Sequence, residues 1–149
     1  MIEPLRISFS VPGTPEKTFD LWTAQTSTWW PKTHTVSAHP DVEVVIEAGV
    51  GGRIYERTPN GEQHDWGQVT LWEPPNRIAY LWHLRQDRAD ATDVEITFTA
   101  TDPDATTVTI EHRGWERLGS RGPERRQANE HGWSGLLPHF RTAADAASR

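Results

Sequence analysis

Apolar and polar positions alternate with a period of two along most of this chain. Leu5, Ile7, Phe9 and Val11 face one way, with Arg6, Ser8 and Ser10 between them, which predicts a half-buried strand. Pro12-Gly13 ends it. Thr14 is placed to cap a helix whose first turn holds Pro15, Glu16 and Lys17 and whose apolar stripe is Phe19, Leu21 and Trp22. Thr26-Ser27-Thr28 interrupts that helix, and Trp29-Trp30-Pro31 predicts a second short one ending before the proline. Six further strands follow, at Asp41–Glu47, Arg53–Arg57, Asp65–Trp72, Arg77–Leu84, Thr92–Ala100 and Thr106–Arg113. Pro59-Asn60-Gly61, Pro74-Pro75-Asn76 and Asp102-Pro103-Asp104 mark turns between them. From about Pro123 the spacing changes to three and four, through Trp133, Leu137, Phe140, Ala144 and Ala147, which is the stripe of an amphipathic helix.

Strands joined by tight turns pair antiparallel, because parallel pairs need long crossovers. Such a sheet has one face to bury, and the terminal helix is the only large apolar partner for it. The pattern therefore predicts an α+β chain: a curved antiparallel β-sheet wrapped around a long C-terminal helix, with two short helices after the first strand. A length of 149 residues fits a single domain over residues 1–149.

Composition sharpens this. There are eight Trp beside four Phe and two Tyr, so large rings must fill a core or line a cavity. The absence of Cys removes disulfides, zinc–thiolate sites, iron–sulfur clusters and a thiol nucleophile. No apolar run approaches the roughly 18 residues of a membrane span, and the first residues lack a signal-peptide pattern, so a cytoplasmic location is expected. A net charge of −6 argues against nucleic acid as a partner. Arg113, Arg117, Arg121, Arg125 and Arg126 alternate with Glu111, Glu116 and Glu124, which reads as a mixed, solvated face.

Several local patterns, in order, resemble the helix-grip fold of the START and birch-pollen-allergen (SRPBCC) superfamily, and more narrowly its Aha-type family, related to the activator of the heat-shock ATPase. They are Pro15-Glu16-Lys17-Thr18-Phe19-Asp20-Leu21-Trp22, Trp29-Trp30, Gly51-Gly52-Arg53, Gly67-Gln68-Val69, Glu73-Pro74-Pro75-Asn76-Arg77-Ile78 with Trp82, His112-Arg113-Gly114 and Gly132-Trp133. One departure is Pro138 inside the terminal helix, where the family has a plain run of helix formers. It removes the bond to the Ser134 carbonyl, costs about 3 kcal/mol in a straight helix, and predicts a bend or local widening near Ser134–Pro138.

The resemblance implies an elongated cavity between the long helix and the concave sheet. Strand phase then places Val69, Tyr80, Trp82, Phe98 and His112 inward, with Trp133, Leu137 and Phe140 from the helix and Trp30 and Tyr55 near the mouth. The alternative is that these side chains simply fill the core. Glu56 would face inward in place of Tyr55 if the phase of its strand were reversed. His112 is the sharpest polar candidate, either a ligand or proton-transfer group or a core histidine satisfied by a backbone carbonyl or Tyr80. His83, out of phase with Trp82, is expected to face solvent.

No His or carboxylate spacing matches a metal motif, no nucleophile elbow surrounds Ser134, and neither a metal nor a cofactor is expected. The expected function is binding of a small hydrophobic or aromatic molecule. A cyclase or aromatase-like enzyme of the same superfamily is the alternative, with His112 or Tyr80 moving a proton. A chaperone-associated module is weaker, since the co-chaperone carries an additional amino-terminal domain for which this length leaves no room. An open edge strand offers a surface for a homodimer that nothing in the sequence selects.

Overall fold

The computed structural model describes residues 2–148. Its strands are β1 (Leu5–Pro12), β2 (Glu43–Ile46), β3 (Arg53–Arg57), β4 (Gln63–Glu73), β5 (Arg77–Trp82), β6 (Thr92–Asp102) and β7 (Ala105–Arg113). All pair antiparallel in one sheet of order β1-β7-β6-β5-β4-β3-β2. The predicted short helices are α1 (Pro15–Thr23) and α2 (Thr26–Trp29), and the long one is α3 (Gly122–Ala147). Thr14 caps α1 as its sequence implies, its side chain accepting from the Lys17 amide at 3.3 Å. Single 3-10 turns at Lys32–His34 and Arg88–Asp90 and a longer 3-10 segment at Trp115–Arg121 complete the chain.

The register aligns inward residues in rows across the sheet. Leu5, His112, Val94, Tyr80 and Val69 form one row, and Ile7, Ile110, Ile96 and Ile78 the next. Register shifts at Ile54/Tyr55, Val69/Leu71 and Ala100/Asp102 bend the strands and increase their twist. Gly67 stands where β4 and β5 approach so closely that a Cβ would collide with the Leu81 carbonyl oxygen. After β7, Gly114 adopts φ 96°, open to glycine at little cost, and so turns the chain into the 3-10 segment.

Most of the space between α3 and the sheet is solid. Trp22, fully buried on α1, lies 4.8 Å from the Phe140 ring of α3 and 5.0 Å from Trp29 of α2. Phe19 meets Phe98 at 5.4 Å, edge to face. The long helix is continuous through Pro138, every residue from Ser134 onward to it remaining helical, and the proline ring is exposed on the side away from the buried Leu137 and Phe140.

Trp66 of β4 and Trp115, which opens the 3-10 segment, are fully buried. No helix among the described residues is long and apolar enough to cross a membrane.

Candidate functional site

At one end of the sheet the packing leaves a cavity of about 220 Å³. Its walls come from three places: Trp30 and His34 after α2, Trp82–Gln86 and Thr92 at the β5–β6 connection, and Arg125, Ala128, Asn129, Gly132, Trp133 and Leu136 of α3. The floor is aromatic. Trp30 and Trp82 lie 5.9 Å apart, and Trp66 stands behind both at 5.1 and 5.8 Å. The rim is polar, with Arg85 and Gln86 exposed and Arg125, Asn129 and His34 half-buried.

Of the ten residues expected to line a cavity, Trp30, Trp82 and Trp133 do so. Val69, Tyr80, Phe98, Leu137 and Phe140 are packed into the core instead. Burial raises the Tyr80 phenol above its ordinary pKa, and the nearby Trp22 N–H opposes this without reaching hydrogen-bond geometry. Tyr55 lies on the opposite face of β3, beneath the Arg53 guanidinium, 4.2 Å from its ring centroid. Of the two phases the sequence left open for β3, the structure takes the one that turns Tyr55 away from the cavity. Ile54 and Glu56 point inward.

Glu56 is fully buried without a cation. Its Oε1 accepts from the Trp66 indole at 2.8 Å and the Val36 amide at 2.6 Å, and its Oε2 from the Ser37 amide at 2.9 Å. Burial pushes its pKa up, but the donors more than reverse this and hold the carboxyl below its usual range. The carboxylate therefore ties the segment after His34, next to the cavity, to the sheet.

His112 lies one layer behind the cavity wall. The Trp133 indole, which can only donate, gives its N–H to Nδ1 at 3.0 Å, so Nε2 carries the ring proton and donates to Thr92 Oγ1 at 2.7 Å. Desolvation, with Arg125 adding repulsion, lowers the His112 pKa to about 3. The ring is neutral at pH 7, both nitrogens are engaged, and its role is to orient Trp133 and Thr92, which do reach the cavity. Neither partner is the backbone carbonyl or Tyr80 that the sequence suggested.

His83 is a correction. Lying just past the end of β5, it escapes strand alternation and is 6% exposed, standing in the cavity wall with Nδ1 lacking any partner. His34, across the cavity, has its pKa lowered first by burial, with His139 and Arg85 acting in the same direction and the Gly132 carbonyl opposing. Arg85 braces this rim by donating to the carbonyls of Thr33 at 3.1 Å and Thr35 at 2.7 Å. The helix side of the cavity was legible in principle. Arg125, Asn129, Gly132 and Leu136 recur at intervals of four, three and four, which is one face of a helix. Among the described residues no group of three or more His, Asp or Glu is placed to share a metal ion.

Residues 12–144 match the family described as Activator of Hsp90 ATPase homolog 1-like protein. Among solved structures, the chain is 27% identical to the anthrahydroquino-gamma-pyrone synthase Txn09, with a TM-score of 0.59 over 83% of this chain and 84% of that one. The self-sacrificing resistance protein CalC from Micromonospora echinospora is 23% identical, with a TM-score of 0.70 over 97% and 96%. The Aha1 dimer from Colwellia psychrerythraea is 18% identical, with a TM-score of 0.65 over 97% of each chain. These last two likenesses concern the fold alone. Comparison with curated proteins gives no match.

Proposed function

We propose that this chain, which belongs to the Activator of Hsp90 ATPase homolog 1-like family, binds a small aromatic molecule in the cavity at the end of its sheet. The observation that carries the reading is the union of three indoles, Trp30, Trp82 and Trp133, around one space of about 220 Å³. An apolar cavity near 150 Å³ holds benzene, and drug-sized ligands need roughly 300 Å³ or more. The space present therefore suits one or two fused rings. A polar rim over an apolar floor is the composition by which small-molecule sites combine affinity with orientation.

Gly132 supplies the test. It lies in the cavity wall on α3, and a Cβ there meets nothing within 4 Å. Gly132→Leu fills the cavity while removing a helix-interior glycine, which by itself stabilises by roughly 0.5–1 kcal/mol. The expected result is a chain at least as stable as the parent that no longer takes up naphthalene-sized probes in calorimetry. Uptake equal to the parent's by a folded Gly132→Leu chain would place binding elsewhere and end this reading.

A second reading is supported by the 27% identity to a synthase. In it the same cavity orients a substrate for ring closure, with His83 rather than the locked His112 available for proton transfer. It requires product formation that disappears in Gly132→Leu and in His83→Ala, followed by mass spectrometry of a polyketide-like substrate.

A further inference from the structure

The polar half of the cavity holds two cationic side chains, Arg85 and Arg125. Arg85, Gln86, Thr92, Arg125 and Asn129 reach it, with two histidines, and no carboxylate lines it. Outside the cavity six arginines are matched with acids, Arg6 with Glu111, Arg53 with Asp65, Arg57 with Glu43, Arg77 with Glu73 and Glu95, Arg113 with Glu95 and Glu111, and Arg117 with Asp93, while Arg88 serves the Gln68 side chain, Arg126 the Glu3 and Pro4 carbonyls and Arg141 the Phe9 ring.

Arg125 differs from the first six in having no carboxylate of its own, and from Arg88, Arg126 and Arg141 in lining the cavity. Among the described residues its guanidinium reaches one acceptor, the Asp90 backbone carbonyl at a long 3.4 Å, while the Asp90 carboxylate is held by Arg121 at 3.1 Å. Burial lowers the Arg125 pKa, so its cation sits where solvation is incomplete. Across the same space the 94%-buried His83 keeps an unpartnered Nδ1. A half-buried guanidinium without a carboxylate leaves its planar, forked donor set free for an incoming anion.

We propose that the occupant is a planar aromatic acid, its rings among Trp30, Trp82 and Trp133 and its anionic group paired with Arg125. This rests on the cavity being a binding site, and it adds the ligand's charge. Arg85 contributes to the field rather than the fork, because it is exposed to solvent where Arg125 is half-buried, and its Nη2 is held by the Thr33 and Thr35 carbonyls. Carboxylates and sulfonates on the same rings share this chemistry.

The experiment compares 2-naphthoate with its neutral isostere, 2-naphthamide, by calorimetry on the full chain. The acid is expected to bind at least tenfold more tightly at low salt, with the advantage shrinking as salt is added. Arg125→Gln is expected to bring the two probes within about twofold by removing affinity from the acid alone, a loss on the scale of 1.4 kcal/mol per factor of ten.

Should Arg125→Gln fold poorly, Arg125→Lys serves instead, retaining charge but losing the fork, with an intermediate preference expected. Equal binding of acid and amide by the unaltered chain overturns the proposal and leaves the cavity reading intact. Binding of neither overturns both. An acid preference that survives in Arg125→Gln moves the recognition away from Arg125 and overturns the assignment.

Discussion

Glu56→Gln is expected to cost about 2–3 kcal/mol of folding stability, and Glu56→Ala about 3–5 kcal/mol, read as lower urea midpoints. The glutamine keeps the shape but not the chemistry. With its oxygen in the place of Oε1, it still accepts from Trp66 and Val36, but its NH₂ then confronts the Ser37 amide, donor against donor. The reverse orientation serves Ser37 and opposes the other two. Alanine leaves all three donors without the carboxylate. The same substitutions release the segment around Val36 and Ser37, so their amides are expected to exchange faster with deuterium. A Glu56→Gln chain as stable as the parent would mean that water replaces the carboxylate at no cost, contrary to its full burial.

Acidification is expected to destabilise the fold well before the carboxylates titrate. His112 has a folded pKa of about 3, below its unfolded value of 6.5. The folded state thus binds fewer protons, and the stability from the neutral ring is complete above pH 6.5 and is lost as pH falls toward 3. One proton of difference corresponds to about 1.4 kcal/mol per pH unit, or roughly 2–3 kcal/mol between pH 7.5 and pH 4.5. His34, also lowered, adds in the same direction. Below the usual carboxylate range Glu56 joins: its depressed pKa gives stability present above about 4.5 and lost as pH falls through its folded value. Urea midpoints at half-unit intervals from pH 7.5 to 4 would show the slope, and His112→Phe should flatten its upper part. A pH-independent midpoint down to pH 5 would be incompatible with a buried neutral imidazole.

The strands were readable because their inward positions are plainly apolar: Ile78 and Tyr80, Val94, Ile96 and Phe98, Val108 and Ile110 alternate without interruption, and the structure keeps each in phase. The terminal helix declared itself by spacing. What escaped was set by contacts distant in sequence. In β3 the residues Ile54, Tyr55 and Glu56 favour Tyr55 inward on hydrophobicity, but Trp66, Val36 and Ser37 supply donors that make the carboxylate the inward group, and Arg53 covers the tyrosine outside. His83 was assigned by strand parity one residue beyond the strand's end. Arg125 was read as part of a solvated charged face, and its neighbours Arg117 and Arg121 do pair with acids there. Its distinction lies in Asp90 already being engaged by Arg121. The cavity's position was also hidden, because alternation tells which side chains point inward and not which of them Trp22 and Trp29 bury by filling the space.

The ring contacts have an optical consequence. Trp133, Trp22, Trp29, Trp30, Trp66 and Trp82 form a continuous series with successive centroids 6.3, 5.0, 5.4, 5.1 and 5.8 Å apart. At such separations excitation passes between indoles faster than it is emitted, so six chromophores behave as one antenna. Its two ends, Trp133 and Trp82, and Trp30 within it are the rings that wall the cavity. A quenching ligand there drains light absorbed deep in the core by rings it never touches, and the emission of nearly the whole chain becomes a gauge of one small space.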